Sequence, residues 1–193
     1  MRKILIIALI AGILMSCEKD KEKVYPAYIL AGQTTGSGIH YNDLEPNDTL
    51  LLSIIKSIDI NHDGVDDFEL FSYYLDQPGF GSGQTYIKPL NLNEISAPLS
   101  DSTCVDTLCI SDTINKNLNW HHSAYDLASY SYYSSSASSH GLWGWDMVPE
   151  DNFIGIKLIV DDKIFFGWIR LGVTNQIGQN YWLILDYACT DGY

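Results

Sequence analysis

Basic residues are scarce in this chain of 193 residues. It has 11 Lys and Arg against 24 Asp and Glu, so its formal net charge at pH 7 is −13. A protein of this charge is repelled by phosphate groups, so we expect neither nucleic acid nor an anionic lipid surface among its partners. The balance suits an exported protein that binds cations, neutral glycans or other proteins.

Helical periodicity and familiar catalytic motifs are also missing. No segment repeats apolar residues convincingly at the spacing of an amphipathic helix. The sequence contains no G-x-S-x-G, no H-E-x-x-H and no phosphate-binding loop. The usual signatures of serine hydrolases, zinc proteases and nucleotide-binding enzymes are therefore absent.

Only one apolar run is long, and it covers residues 4–14, directly after Arg2 and Lys3. The run is too short for a comfortable membrane span, but it has the layout of a secretory signal peptide. Residues 14–17 read Leu-Met-Ser-Cys, which resembles the lipobox of bacterial lipoproteins. In that motif the signal is removed before the Cys, whose sulfur carries a diacylglycerol and whose amine is acylated, often with palmitate.

We therefore predict that residues 1–16 are a signal peptide and that Cys17 is the lipid anchor, with an ordinary secreted protein as the alternative. Loss of Arg2 and Lys3 with the signal would move the net charge from −13 to −15. Residues 17–23, the lipidated Cys and a run of alternating charges, form a solvated tether. The predicted location is the cell envelope, at the outer membrane, with the facing open.

Segments with strand character follow from residue 24 onward. Apolar residues alternate over 154–160 and again over 164–169, and Asp161-Asp162 between them predicts the turn of a hairpin. The other predicted strands are 24–31, 50–60, 68–75, 85–88 and 181–188. The predicted loops are 77–84 and most of 89–120. Together with 12% aromatic residues, this pattern predicts one all-β domain over residues 24–193, a jelly-roll-like β-sandwich.

Three cysteines remain after the anchor. An envelope protein is exposed to oxidising conditions, so Cys104 and Cys109 are predicted to close a short disulfide loop. Cys189 is then left as a free thiol, expected to be buried at the end of the last strand. A zinc site is the less favoured alternative, because no paired Cys-x-x-Cys or neighbouring His completes a tetrahedral set.

Residues 59–67 carry the most specific internal motif, Asp-Ile-Asn-His-Asp-Gly-Val-Asp-Asp. Oxygen-bearing side chains recur at every second position, and Gly64 permits a sharp turn, as in the first half of an EF-hand loop. An EF-hand loop ends in a bidentate acid at its twelfth position, but that position is occupied here by Leu70, so a full EF-hand is excluded. A polar hairpin turn is the alternative. The predicted structural Ca²⁺ ligands are Asp59, Asn61, Asp63, the carbonyl of Val65, and Asp67.

The same loop belongs to a wider resemblance, which covers roughly residues 39–75 and 152–188. Residues 41–48 read Y-x-D-x-x-P-x-D, residues 166–171 read F-G-W-x-R-L, and residues 186–188 read D-Y-A. In this order they resemble a family of exported bacterial β proteins that carry a D-x-N-x-D-G loop. The resemblance implies a secreted β domain and no particular reaction.

Aromatic residues are concentrated in a tract of Ser and Tyr over 129–139 and just after it. Such side chains stack on sugar rings and pack at protein interfaces, although an exposed loop or edge strand is the plainer interpretation of the tract. The predicted ligand surface comprises Tyr130, Tyr132, Tyr133, Trp143 and Trp145.

Catalytic groups are harder to identify. His121 and His122 are adjacent, and adjacent residues of a strand point to opposite faces, so they do not suggest one site with Asp126. Arg170 lies on an apolar strand and is predicted to pair with Asp146 or Asp186. The favoured hypothesis is a noncatalytic, lipid-anchored binding or scaffold domain for a glycan or envelope protein. The alternative is a polysaccharide hydrolase with two facing carboxylates, for which 150–151 and 161–162 offer only neighbouring acids.

Overall fold

A computed structural model describes residues 26–99, 104–133, 136–140, 152–176 and 179–191. The predicted signal peptide, Cys17, the predicted tether, Trp143 and Trp145 lie outside these residues. The described residues form fourteen strands and no helix, so none of them provides a helix able to cross a membrane. The strands are β1 (Tyr28–Leu30), β2 (Ile39–Leu50), β3 (Ile55–Ile58), β4 (Phe68–Gln77), β5 (Phe80–Pro89), β6 (Glu94–Ser96), β7 (Leu108–Cys109), β8 (Thr113–Asn115), β9 (Trp120–His121), β10 (Tyr125–Tyr133), β11 (Ser136–His140), β12 (Asn152–Val160), β13 (Lys163–Gln176) and β14 (Gln179–Thr190).

Two large sheets form the sandwich. A five-stranded sheet has the order β11-β10-β5-β4-β3, and a larger sheet has the order β2-β14-β13-β12-β6-β9, with β7 also paired to β12. Their facing sides share one hydrophobic core, in which Leu70 and Ile87 of the smaller sheet and Ile156 and Leu171 of the larger one are fully or almost fully buried. The predicted all-β sandwich is therefore confirmed.

A third layer covers the other side of the larger sheet. Strands β1 and β8 pair with each other, and Ile29 and Ile114 pack there against Phe166 and Trp168 in a second hydrophobic core. The larger sheet is thus covered on both of its faces where this small sheet lies. This explains why β12 is apolar on both sides, with four successive buried residues, instead of alternating between apolar and polar.

The hairpin of β12 and β13 follows the local sequence. Val160 pairs with Lys163, so the connection consists of Asp161 and Asp162 alone. Both have positive φ angles, 49° and 64°, as the favoured two-residue hairpin turn requires. Asp tolerates this left-handed backbone better than most residues, so the predicted turn is confirmed.

Two predicted boundaries are wrong. Residues 77–84 were expected to form a loop, but β4 and β5 run through them and are joined by Pro78 and Gly79 only, since Gln77 pairs with Phe80. The predicted strand at 50–60 is divided, because β2 ends at Leu50 and β3 begins after a short turn. Gly-rich sequence misled the first prediction, and a continuous apolar run misled the second.

Candidate functional sites

The acidic loop, residues 59–67, connects β3 to β4 at one end of the five-stranded sheet. It folds around its own amides: Gly64 N donates to Asp59 Oδ2 at 2.8 Å, and Asp63 N donates to Asn61 Oδ1 at 3.0 Å. Val65 N donates to Asp63 Oδ1 at 2.8 Å. Gly64 has a φ of 89°, which explains the need for glycine at the turn. The loop therefore gathers the side chains of Asp59, Asn61 and Asp63.

Asp67 has a different environment at the end of the same loop. It is buried, and its two carboxylate oxygens accept hydrogen bonds from Ile60 N at 2.8 Å and from Asn93 Nδ2 at 2.9 Å. Burial raises the pKa of Asp67, and the negative charges of Asp63 and Asp59 raise it further. Burial is the main cause of this shift, and the two neighbouring carboxylates add to it.

The loop can be compared with the predicted calcium ring. Asp59, Asn61 and Asp63 are brought together as expected, and their oxygens are the hard ligands that Ca²⁺ prefers. Asp67 faces inward and already binds two protein donors, so it is the member of the predicted set that fits least well. Within the described residues no group of three His, Cys, Asp or Glu side chains is arranged to hold a metal ion. A cation bound in this loop would therefore also need oxygen ligands from Asn61 and from backbone carbonyls.

The predicted tyrosine surface is not one surface. Tyr132 and Tyr133 are neighbours on β10 and point to opposite faces of the sheet, because side chains alternate along a strand. Tyr133 is 72% exposed on the outer side. Tyr132 lies over Gly81 on the inner side and donates a hydrogen bond to Asp76. The prediction treated neighbours in sequence as neighbours in space, while Trp143 and Trp145 fall outside the described residues.

The outer side of the five-stranded sheet carries a different group of aromatic residues. Phe71 lies with its ring centroid 5.4 Å from that of Tyr86 and 6.3 Å from that of Tyr73. All three are partly exposed, and Ile55, 55% exposed, pairs with Phe71 from the edge strand. We call Ile55, Phe71, Tyr73 and Tyr86 the aromatic patch. Sequence alternation along β4, with Phe68 and Leu70 buried, was the available signal for it.

A row of serines continues this outer side toward β11. Ser82 pairs with Ser131, and Ser131 pairs with Ser138, so three hydroxyl-bearing residues stand side by side on three strands. The oxygens of Ser131 and Ser138 are 2.9 Å apart. We call these three residues the serine ladder. Tyr133 lies one row beyond it on the same side, so the aromatic patch and the ladder form one continuous surface, here named the outer face.

The outer face carries few charges among its described residues, and two of them form an ion pair. Gln84 Nε2 donates to Asp126 Oδ1 at 2.5 Å, and Lys88 Nζ lies 3.1 Å from Glu69 Oε2. Both acids therefore already have a partner on the same sheet. Asp126 keeps its negative charge, because its partner is a neutral amide, so the described part of the outer face has few charges and a small negative excess.

Arg170 is paired as predicted, and its partner is Asp186. The guanidinium donates to both carboxylate oxygens, from Nε at 2.8 Å and from Nη2 at 2.6 Å. Tyr41 OH donates to the same carboxylate at 3.0 Å. Burial, together with this hydrogen bond, raises the pKa of Tyr41 to about 12. The cluster joins β13, β14 and β2, and Asp186 is almost fully buried, so the arrangement is structural.

The predicted disulfide is absent from the structure. Cys109 is a free, exposed thiol on β7, so no bond joins it to Cys104, which is buried and forms a bridge with Asp126 of the five-stranded sheet. The two residues are held by different sheets, which five positions of separation in the sequence did not reveal. Cys189 is free and buried as expected, and burial raises the pKa of its thiol to about 12.

The histidines are used in local hydrogen bonds. His122 Nδ1 lies 2.7 Å from the carbonyl of Asn93, and His121 Nε2 lies 2.6 Å from Asn119 Nδ2. Asp126, the acid considered with them, is bound to Gln84. The structure therefore does not bring these three residues together as a catalytic group.

Comparison with known proteins adds no assignment. No protein-family model, curated protein or solved structure matches the chain. The resemblance to exported β proteins with a D-x-N-x-D-G loop therefore stays a prediction from the sequence, and function has to be argued from the residues themselves.

Proposed function

We propose that this protein is a lipid-anchored domain of the cell envelope that binds its partner through the outer face and does not catalyse a reaction. The observation that carries the proposal is the group formed by exposed Ile55 and by partly exposed Phe71, Tyr73 and Tyr86. Aromatic and apolar side chains that lie together at the surface are typical of binding surfaces.

The position of β1 supports the same proposal. β1 packs on the larger sheet, on the side away from the five-stranded sheet. Ten residues separate Cys17 from Tyr28, and an extended chain of that length spans roughly 35 Å. A lipid on Cys17 would therefore favour an orientation with the β1 side toward the membrane and the outer face toward solvent.

We further propose that calcium stabilises the acidic loop. The ligands would be Asp59, Asn61, Asp63 and the carbonyl of Val65, with Asp67 completing the set directly or through water. Support comes from Asp67, whose pKa is raised mainly by burial and further by the negative charges of Asp63 and Asp59, which a bound cation would offset. The role is structural, because the outer face lies elsewhere on the sheet.

The binding proposal is tested with the full-length lipoprotein, purified in detergent and applied to isolated envelopes. Tyr86→Ser removes a ring from the aromatic patch, and Tyr133→Ser removes an exposed ring from the other end of the outer face. Tyr28→Ser is the matched control, since Tyr28 is 53% exposed on the β1 side. We expect the first two variants to bind less and the control to bind normally, with similar melting temperatures. Equal binding by all four proteins would refute the proposal.

The anchor is tested separately by Cys17→Ala in the full chain. We expect the variant to lack lipid and to leave the membrane fraction or to remain uncut, since acyl chains supply the membrane affinity. A variant that still partitions into the detergent phase with lipoproteins would refute the anchor. An activity screen on polysaccharides completes the test, because turnover that disappears on mutating one carboxylate would favour the hydrolase alternative.

A further inference from the structure

We infer that the partner of the outer face is a neutral polysaccharide, an inference that rests on the binding function proposed above. The two halves of the surface offer complementary chemistry, and together they fit this class of ligand. One half presents aromatic rings, and the other presents a row of hydroxyl groups.

The aromatic half provides stacking surfaces. The rings of Tyr73 and Tyr86 are tilted by 35° and 40° relative to Phe71, and all three side chains are partly exposed along β4 and β5. A sugar ring has apolar C–H faces, and an aromatic face is a suitable partner for them. Tyrosine in addition keeps a hydroxyl at its tip, which can bond a sugar hydroxyl or water.

The serine ladder provides hydrogen bonds of the matching kind. Each serine hydroxyl has one donor and two acceptor sites, as a sugar hydroxyl does. Ser82, Ser131 and Ser138 stand on adjacent strands, which are about 4.8 Å apart. The ladder therefore repeats the same polar group at a regular interval, which suits a polymer of similar units lying across the strands.

Charge excludes the acidic polysaccharides. Asp126 and Glu69 are the acids beside the aromatic patch. Glu69 is paired with Lys88, whereas Asp126 is hydrogen-bonded to the neutral amide of Gln84 and keeps its negative charge. No described residue of the aromatic patch or the serine ladder is basic, and the chain as a whole carries −13. An anionic polymer would therefore meet repulsion without a compensating ion pair.

A protein partner is the competing occupant. Protein interfaces depend on a few large anchors, and serine is under-represented among the residues that carry binding energy. The serine ladder would contribute little to such an interface, whereas it contributes hydrogen bonds to a glycan. The continuity of the ladder with the aromatic patch therefore favours the polysaccharide.

The test measures binding of the full-length lipoprotein in detergent to soluble polysaccharides by affinity electrophoresis and calorimetry. The neutral panel contains α-glucan, β-glucan, mannan, galactan and arabinoxylan, and the acidic panel contains alginate and polygalacturonate. We expect at least one neutral polymer to bind and both acidic polymers to fail. Tyr86→Ser should weaken binding about tenfold or more, as expected for an aromatic anchor.

Two further variants keep the result interpretable. Tyr133→Ser changes a side chain that is 72% exposed, so the fold is not at risk, and the double variant Ser131→Ala/Ser138→Ala removes ladder hydroxyls. Both should weaken binding, whereas Tyr28→Ser should not. Binding of acidic polymers as tight as that of neutral ones, or neutral binding unchanged in Tyr86→Ser and Tyr133→Ser, would overturn the inference. If no neutral polymer binds while envelope binding stays sensitive to Tyr86→Ser, the polysaccharide is wrong and the binding function stands.

Discussion

The side-chain amide of Asn93 lies 2.9 Å from Oδ1 of Asp67, and both residues are buried. The same amide nitrogen lies 3.3 Å from the carbonyl oxygen of Asp67, and Asn93 Oδ1 accepts a hydrogen bond from Ile159 N at 2.9 Å. Asn93 therefore ties the end of the acidic loop to β12 of the larger sheet. One side chain therefore contacts both the acidic loop and the larger sheet.

Replacing this amide should weaken the whole domain. Asn93→Ala would leave the carboxylate of Asp67 and the amide of Ile159 without these partners, and each unsatisfied buried group costs about 1–3 kcal/mol. We expect a loss of about 2–4 kcal/mol in the free energy of unfolding, measured with denaturant. Asn117→Ala, at an exposed turn, is the control and should change little. Equal stabilities of the two variants would show that the hydrogen bonds of Asn93 do not stabilise the domain.

The calcium proposal predicts a response to chelation. A cation that binds only the folded chain adds about 2.7 kcal/mol at a concentration 100 times its Kd. A chelator should therefore lower the melting temperature of the wild type, and added calcium should restore it. Asp63→Asn should abolish the response, whereas Asp66→Asn should keep it, because Asp66 is exposed in the same loop but outside the proposed ligand set. An identical melt with and without chelator would rule the site out.

The ion pair of Arg170 and Asp186 should contribute more to the free energy of unfolding than a surface ion pair does. Asp186→Asn removes a buried charge from a bidentate contact, and we expect a loss of about 2 kcal/mol, since Arg170 is one-third exposed. Glu69→Gln breaks the more exposed pair with Lys88 and should cost less than about 1 kcal/mol. Chemical unfolding of both variants measures the difference, and equal losses would contradict the assignment.

The carboxylate of Asp186 also contributes, after burial, to the raised pKa of Tyr41. The pKa of this phenol is raised to about 12 in the folded chain, above its ordinary value of 10. The protonated phenol therefore contributes stability that is present below pH 10 and is lost as the pH rises through 12. In Asp186→Asn the raised pKa should fall, which absorbance of tyrosinate at alkaline pH records. A titration that is the same in both proteins would show that Asp186 does not affect the pKa of Tyr41.

The cysteines should differ in reactivity. Cys109 is exposed, whereas Cys189 is buried and its thiol has a pKa raised to about 12, so little of it is the reactive thiolate near neutral pH. We expect native alkylation to label Cys109 rapidly and Cys189 only after unfolding. Peptide mapping of the native protein without reductant provides the check. Recovery of Cys109 linked to Cys104 would contradict the free thiol at Cys109 and support the disulfide predicted from the sequence.

Local patterns predicted those parts of the fold that depend on neighbours in sequence. The hairpin of β12 and β13 needs only alternation and two turn residues, Asp161 and Asp162, so the sequence was sufficient. That Asp59, Asn61 and Asp63 lie together in one loop likewise followed from their spacing. Asp67 was grouped with them because nothing in the sequence reveals its partner Asn93, which lies 26 positions further along the chain.

The outer face could not be predicted from local sequence patterns. It combines β4 with β5, and the glycines of β5 made that strand look like a loop. A glycine has no side chain to fill its place in a sheet, so the sequence gives it little strand character. Here the place of Gly81 is filled by Tyr132 from β10, which follows about 50 residues later. The strand therefore depends on a distant residue.

Gly81 and Tyr132 should consequently behave as one unit. A Cβ added at Gly81 would lie 2.1 Å from Cε1 of Tyr132, so the ring would have to leave and its hydrogen bond to Asp76 would break. We expect Gly81→Ala to cost about 1–3 kcal/mol in unfolding free energy. The pKa of Tyr132, which that hydrogen bond raises to about 12, should also fall toward its ordinary value, as absorbance titration would show.

Two matched variants separate packing from the hydrogen bond. Tyr132→Phe keeps the ring over Gly81 and loses only the hydroxyl, so it should be milder than Gly81→Ala. In the double variant Gly81→Ala/Tyr132→Ala the added methyl group meets no ring, so the double variant should be hardly less stable than Tyr132→Ala alone. Such non-additivity is expected only for residues in direct contact. Strictly additive losses, or a Gly81→Ala protein that keeps both its stability and the raised Tyr132 pKa, would show that the ring does not occupy the space above Gly81.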